Sequence, residues 1–245
     1  MSTDAESRFL EIVAPDAASM AAVNPSEPRH VVMLAYPGMF ALDMVGPLAV
    51  LGGLRNTTLH QLWKSAEAIQ AGKLAIVPTG TLEDCPEKID VLLVPGGTSG
   101  TLNLMKDPDI LAFVRDAAAR SRYVTSVCTG SLILAAAGLL EGRRATTHWA
   151  TMDVLPTYGA TPVEARYVED GNVITAAGVS AGIDFALMLA AKLTSEPYAK
   201  SLQLDIEYDP APPFNAGSPR GAGEPLASTM KQIYAPLVER MQAAA

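Results

Sequence analysis

The stretch "YVTSVCTGSLILAAAGLL", residues 123–140, passes directly from a β-rich run to an alanine- and leucine-rich one, with a single cysteine, Cys128, at the change. The first half predicts a short strand and the second a helix. A strand that feeds straight into a helix is half of a βαβ unit, so this junction points to a parallel sheet with helices on its faces.

The rest of the chain agrees. Working outward, "HVVMLAY" (30–36), "LHQLWKS" (59–65) and "IDVLLVP" (89–95) read as further strands, short and bounded by Gly, Pro or acidic residues. Helical runs separate them: "MVGPLAVLGGL" (44–54), weakened by its glycines and Pro47, and "DPDILAFVRDAAARS" (107–121), with Asp107 as cap and Pro108 in the first turn. The expected architecture is α/β, a flavodoxin-like three-layer sandwich around a mostly parallel sheet. In "ARYVEDGNVITAAG" (165–178), Asp170-Gly171 between two β-rich runs predicts a tight hairpin. "SAGIDFALMLAAKL" (180–193) follows as a packed helix with Ser180 as its cap. A Pro-rich connector (208–223) leads to a last amphipathic helix within 223–242.

A chain of 245 residues, 49% of them hydrophobic, is long enough for one large core. Residues 1–28, rich in Ala, Ser, Pro and acids, read as an extension that docks or flexes without building that core; 29–245 read as one domain. The formal net charge of −8 disfavours nucleic acid and anionic membranes as partners. No secretory signal and no membrane-length apolar run is visible. With two cysteines only, Cys85 and Cys128, both read as free thiols in a reducing compartment, and the expectation is a cytoplasmic protein that binds a small molecule.

Cys128 falls where a strand ends at the carboxyl edge of a parallel sheet, the edge at which open α/β folds place their ligands. The following helix start is expected to lower the thiol pKa and favour the reactive thiolate. The alternative is inert packing, since free cysteine is among the most buried residue types. Cys85, in "EDCPEK", has no such turn and reads as structural. Asp43, in "LDMVGP" after the first strand, approaches the same edge. It is either a proton-holding neighbour of the sulfur or a helix cap. "PGGTSG" (95–100) follows a strand beside the elbow. The backbone N–H groups there, at Gly96, Gly97 and Thr98, together with Gly130 after the cysteine, would contact a substrate and stabilise developing charge; an ordinary βα turn is the other reading. No phosphate loop is present, and no cluster has metal-ligand spacing. His30 and His60 sit in strands and read as structural. His148, in "ATTHW", is the histidine with a place near the thiol, and a packed imidazole is its other reading.

"VPGGTSG" (94–100) followed by "RYVTSVCTGSLILAAAGLLEGRRATTHW" (122–149) resembles the DJ-1/PfpI superfamily, in which a cysteine at this elbow is the nucleophile. More narrowly, "FALDMVGPLAVL" (40–51), "VCTGSLILAAAGLL" (127–140), "RATTHW" (144–149), "AGIDFALMLAA" (181–191) and above all "LQLDIEYDPAPPFNAGSP" (202–219) resemble the isonitrile hydratases. The likeness runs from about residue 30 to 219. It implies a cofactor-free homodimer that hydrates isonitriles to N-substituted formamides. Cys128 would be the nucleophile, Asp43 the acid and base in place of the superfamily's usual glutamate, and Thr129 a positioning hydroxyl. Protease-like relatives use a histidine after the nucleophile or elsewhere to form a Cys–His pair, and Thr129 in that place weakens a Cys–His peptidase reading. Two rivals use the same thiolate: a redox or ligand sensor of the DJ-1 kind, and glyoxalase-type carbonyl chemistry. Regulators with this fold carry a helix-turn-helix domain beyond the sensor, for which the 22 residues after the connector are too few.

Overall fold

The computed structural model describes residues 3–245. Seven strands form its central sheet: β1 (Arg29–Leu34), β2 (Thr57–Trp63), β3 (Gly80–Thr81), β4 (Ile89–Val94), β5 (Ser121–Val127), β6 (Tyr167–Asp170) and β7 (Val173–Ala176), in the order β6-β7-β5-β4-β1-β2-β3. Every pairing is parallel except the β6–β7 hairpin at one edge. In β1 and β4 every position but the second is buried, as central strands covered on both faces require. The hairpin turns at Asp170-Gly171, where Gly171 takes a φ of 64° that costs a side-chain-free residue nothing.

The helices are α1 (Thr3–Val13), α2 (Ala17–Val23), α3 (Ala41–Leu51), α4 (Ser99–Leu104), α5 (Pro108–Ala119), α6 (Gly130–Ala136), α7 (Ala181–Leu193), α8 (Glu196–Asp205), the single turn α9 (Pro219–Ala222) and α10 (Leu226–Gln242). They fall into two packed groups, one on each side of the sheet. Helices α3, α7, α8 and α1 form one; α4, α5, α6, the 3-10 segment Trp149–Tyr158 and α10 form the other. The predicted α/β three-layer sandwich is what the chain forms. Asp107 caps α5 as expected, its Oδ1 accepting the Asp109 and Ile110 N–H groups at 3.2 Å.

Two local expectations give way to tertiary contacts. Ser180 stands at the cap position of α7, but its side chain makes no cap hydrogen bond; its hydroxyl accepts from Arg166 instead. The segment before β1 contributes Val13, Ala14 and Val23 to the hydrophobic core, which its composition did not predict. It is held by Arg29, a buried guanidinium that donates to the Ala22, Arg55 and Leu193 carbonyls. Three carbonyls from separate elements thus substitute for the water that a buried cation gives up. Among the described residues no helix is long and apolar enough to cross a membrane.

Because β1, β4, β5 and β7 run the same way, the residues that follow them converge on one sheet edge. "LDMVGP" helps them meet. Gly46 of α3 lies against Ile183, and Pro47 lies against Gly182 of α7, so the two helices approach closely and bring Asp43 and the start of α7 to the end of β5.

Candidate active site

Cys128 has a φ of 57°, the left-handed region that costs a side-chain-bearing residue about 1–3 kcal/mol and persists only where its surroundings enforce it. Both sides of the residue are tied. Its N–H donates to the Ala176 and Ala177 carbonyls at 3.0 Å, and its C=O accepts the Ser131 and Thr147 hydroxyls, each at 3.1 Å. Gly130, two residues on, is obligatory, since a Cβ there would stand 2.1 Å from the Val94 carbonyl oxygen. The elbow is therefore wedged onto the end of β4, and Gly130 faces that backbone rather than open space.

Asp43 sits in the first turn of α3 and is fully buried. It does not cap its own helix, whose cap position is Phe40. Its Oδ2 accepts the Gly96 N–H at 2.9 Å. Its Oδ1 is buried with no hydrogen-bond partner, and the Cys128 thiol is near enough to pull the carboxyl's pKa down. Gly96 is the second obligatory glycine, because a Cβ would fall 2.5 Å from Thr129 N and 2.9 Å from Asp43 Oδ2.

The electrostatics depart from expectation. Burial, with the Asp43 carboxylate adding to it, pushes the Cys128 thiol up to about 12; the N–H groups of Thr129 and Val179 and the Thr129 hydroxyl oppose the rise. The anticipated depression of the thiol pKa is thus overturned. Helix α6 has only seven residues, and its dipole cannot offset removal from water when 7% of Cys128 is exposed. Burial also raises Asp43 from 3.8 to about 7, against the pull of the Gly96 N–H and the Cys128 thiol. At neutral pH the two groups hold one to two protons between them, and the sulfur keeps its own.

The glycine loop is occupied by protein. Gly96 N–H is spent on Asp43, and Gly97 N–H donates to Thr129 Oγ1 at 2.9 Å. That hydroxyl in turn donates to the Gly97 carbonyl at 2.5 Å and meets Thr101 Oγ1 at 2.9 Å. Tyr36 completes the chain, 3.1 Å from Thr101 Oγ1 and donating to the Pro95 carbonyl at 2.9 Å. Thr98 is exposed at the start of α4. His148 stands at one side of the site, its ring against Trp149 and Tyr234 and its Cδ2 close to Gly178. Its Nδ1 accepts the Ala150 N–H at 3.3 Å, and burial lowers its pKa. Cys85 lies apart, with its sulfur 3.9 Å from Arg120 Nη2. His30 and His60 pair with each other at 3.0 Å across β1 and β2, also apart from the elbow. Among the described residues no group of three or more His, Cys, Asp or Glu is arranged to hold a metal.

Sequence reasoning brought Cys128, Asp43, Thr129, Gly96 and Gly97 together correctly. It missed Val179, Tyr36 and Thr101, which carry no motif and are chosen by where the loops end.

The chain that builds this site has close counterparts among known proteins. The sequence pattern of the DJ-1/PfpI family matches residues 29–192. The chain belongs to the DJ-1/PfpI family. An isonitrile hydratase of Pseudomonas putida is 50% identical over 204 residues, 83% of this chain and 89% of that one. The zebrafish (Danio rerio) Parkinson disease protein 7 homolog is 31% identical over 184 residues, 73% of this chain and 96% of its own. Among solved structures, a ThiJ/PfpI family protein from Pseudomonas syringae superposes with a TM-score of 0.87 at 45% identity, covering 94% of this chain and 96% of that one. In this DJ-1/PfpI protein the acid beside the wedged elbow is an aspartate.

Proposed function

We propose that this DJ-1/PfpI protein is a hydro-lyase that adds water to an isonitrile, R–N≡C, giving the N-substituted formamide. The observation that carries the reading is the buried Asp43–Cys128 pair at the elbow, in a chain half identical to an isonitrile hydratase. Since the thiol is protonated at rest, ionised Asp43 takes the sulfur's proton as the isonitrile arrives. Sulfur then bonds to the terminal carbon while Asp43 returns the proton to that same carbon, leaving the thioimidate R–N=CH–S–Cys128. Asp43, ionised again, draws a proton from water as the water oxygen attacks the carbon and passes that proton to the nitrogen, giving R–NH–CH(OH)–S–Cys128. The C–S bond then breaks as the hydroxyl proton moves through Asp43 to the leaving sulfur, releasing R–NH–CHO and the Cys128 thiol.

The N–H groups of Thr129 and Val179 support the sulfur as it gains charge. Gly96 and Gly97 act through Asp43 and Thr129, whose side chains they orient. A rod-shaped isonitrile presents its carbon without flanking bulk, which suits a cysteine only 7% exposed. A thiol held protonated is slow to oxidise, which disfavours the redox-sensor reading; a glyoxalase reading would more often carry glutamate where Asp43 stands. The apolar side chains of Phe40, Leu42 and Val45, exposed on α3 around Asp43, support a homodimer. Both cysteines are free, in keeping with a reducing, cytoplasmic setting.

The test is product formation from a simple alkyl isonitrile and, separately, from methylglyoxal, by wild type and Cys128→Ala. Formamide from the wild type alone is the expected result. Retained turnover by folded Cys128→Ala, or lactate formation with no formamide, overturns the reading.

A further inference from the structure

Val179 holds a φ of 25°, outside the ordinary range for a β-branched residue, and such a conformation survives only where its neighbours over-determine it. The loop that holds Val179 is tied to the elbow, the Ala177 carbonyl accepting the Cys128 N–H at 3.0 Å, and the Val179 N–H lies near enough to the Cys128 sulfur to favour the thiolate. The neighbours on both sides of Val179 are tied to a single residue, Arg166. Before it, the Ala177 N–H donates to the Arg166 carbonyl at 2.9 Å. After it, both terminal guanidinium nitrogens of Arg166 donate to Ser180 Oγ, at 3.2 and 3.3 Å.

The guanidinium is itself aimed. Arg166 Nε donates to Asp184 Oδ2 at 2.6 Å, and Nη2 lies 2.5 Å from the same oxygen. The other carboxylate oxygen, Oδ1, accepts the Tyr208 hydroxyl at 2.6 Å. Tyr208 is fixed in turn by the end of α8: its N–H donates to the Gln203 carbonyl at 3.0 Å, and its own carbonyl accepts Gln203 Nε2 at 3.1 Å. The residue before it, Glu207, turns the chain with a φ of 49°. Tyr208 belongs to the 202–219 string, so that string reaches the elbow through this relay.

We infer that Arg166, oriented by Asp184 and Tyr208, is a positioning residue that holds Val179 so that its N–H faces the Cys128 sulfur. The Arg166 side chain is half exposed, and ion pairs of that kind contribute little to global stability. The network's effect is therefore local, on the loop it brackets. The inference rests on the reading of Cys128 as nucleophile, and its test separates the two.

Amide hydrogen exchange across residues 177–181, read by mass spectrometry, is to be compared with formamide kinetics for Arg166→Ala, Arg166→Lys and Tyr208→Phe. In Arg166→Ala the exchange of this segment is expected to quicken about tenfold while the rest of the sheet is unchanged. The kcat is expected to fall about tenfold with KM within about twofold, the pattern of a lost transition-state contact. Arg166→Lys, which keeps the charge opposite Asp184 but not the fork onto Ser180, should lie between Arg166→Ala and wild type, and Tyr208→Phe should show a smaller change of the same kind. Unchanged exchange at 177–181 in folded Arg166→Ala, or a quickened segment with kcat intact, overturns the inference. Exchange needs no substrate. A wild type that makes no formamide therefore counts against the isonitrile reading, while the exchange result still decides the role of Arg166.

Discussion

Asp43 and Cys128 meet in a buried site where burial makes both harder to ionise: burial and the Asp43 carboxylate raise the thiol to about 12, and burial leaves the carboxyl at about 7 although the thiol pulls it the other way. Sulfur chemistry here starts from a proton transfer between two neighbours, and Asp43 must be ionised to accept that proton. The kcat/KM for formamide formation should therefore climb with pH through about 7, and at pH 5 it should stand roughly 100-fold below its plateau, one decade per unit. A profile flat between pH 5 and 8 would remove Asp43 from the role of base.

Asp43→Asn should move activity and stability in opposite directions. Loss of the proton carrier lowers turnover by about 10²–10⁴-fold. The stability sign follows from a folded-state pKa raised above its unfolded value of 3.8: the neutral carboxyl favours folding below that value, and the advantage is lost as pH rises through about 7. At pH 8.5 the wild type carries an ionised buried carboxylate that the amide lacks. The variant should then be more stable by ~2–4 kcal/mol, several degrees in Tm, with the gap closing towards pH 5. Calorimetry at the two pH values checks this, and a variant less stable at pH 8.5 than at pH 5, relative to wild type, contradicts it.

Gly96→Ala puts a methyl group 2.5 Å from Thr129 N and 2.7 Å from Thr129 Oγ1. Neither neighbour can swing away, because the Thr129 hydroxyl is pinned by two hydrogen bonds to Gly97 and one with Thr101. The expected cost is ~1–3 kcal/mol of overpacking, together with loss of turnover as Asp43 and the elbow are pushed apart. Full activity in a folded Gly96→Ala protein would show that the loop yields.

Arg29→Met tests what holds the first helices. The substitution keeps the buried stem and strands three carbonyls, Ala22, Arg55 and Leu193, that now accept from the guanidinium. At about 1–3 kcal/mol for an unsatisfied buried group, with water able to reach some of them, Tm should fall by roughly 5–10 °C. Limited proteolysis should then cut within residues 3–28 first. Uniform cleavage throughout the chain would contradict a role confined to docking that segment.

Much of this molecule is legible in its residues because the relevant physics is local. A β-rich run ending at Cys128 before an alanine-rich run sets strand, turn and helix in order. The Asp107-Pro108 cap and the Asp170-Gly171 turn follow from backbone preferences of single residues, and the placement of Asp43 after β1 follows from strand direction. The N-terminal segment was misjudged because its apolar residues are few, yet three of them, Val13, Ala14 and Val23, join the core, with α1 packed on α8, far along the chain, as well as on α2.

The ionisation of the site could not be read that way. A strand-to-helix turn predicts a thiolate if helix polarity decides, and a protonated thiol if desolvation decides; which one wins depends on how completely α3, β4 and the loop before α7 close over the sulfur. The same holds for the Gly96 and Gly97 N–H groups, free in a linear reading but taken by Asp43 and Thr129 in the fold. Sequence determined which groups arrive at the sheet edge, since strand direction and turn chemistry are local; only the tertiary structure decided their protons and hydrogen bonds, since exclusion of water is a property of everything packed around them.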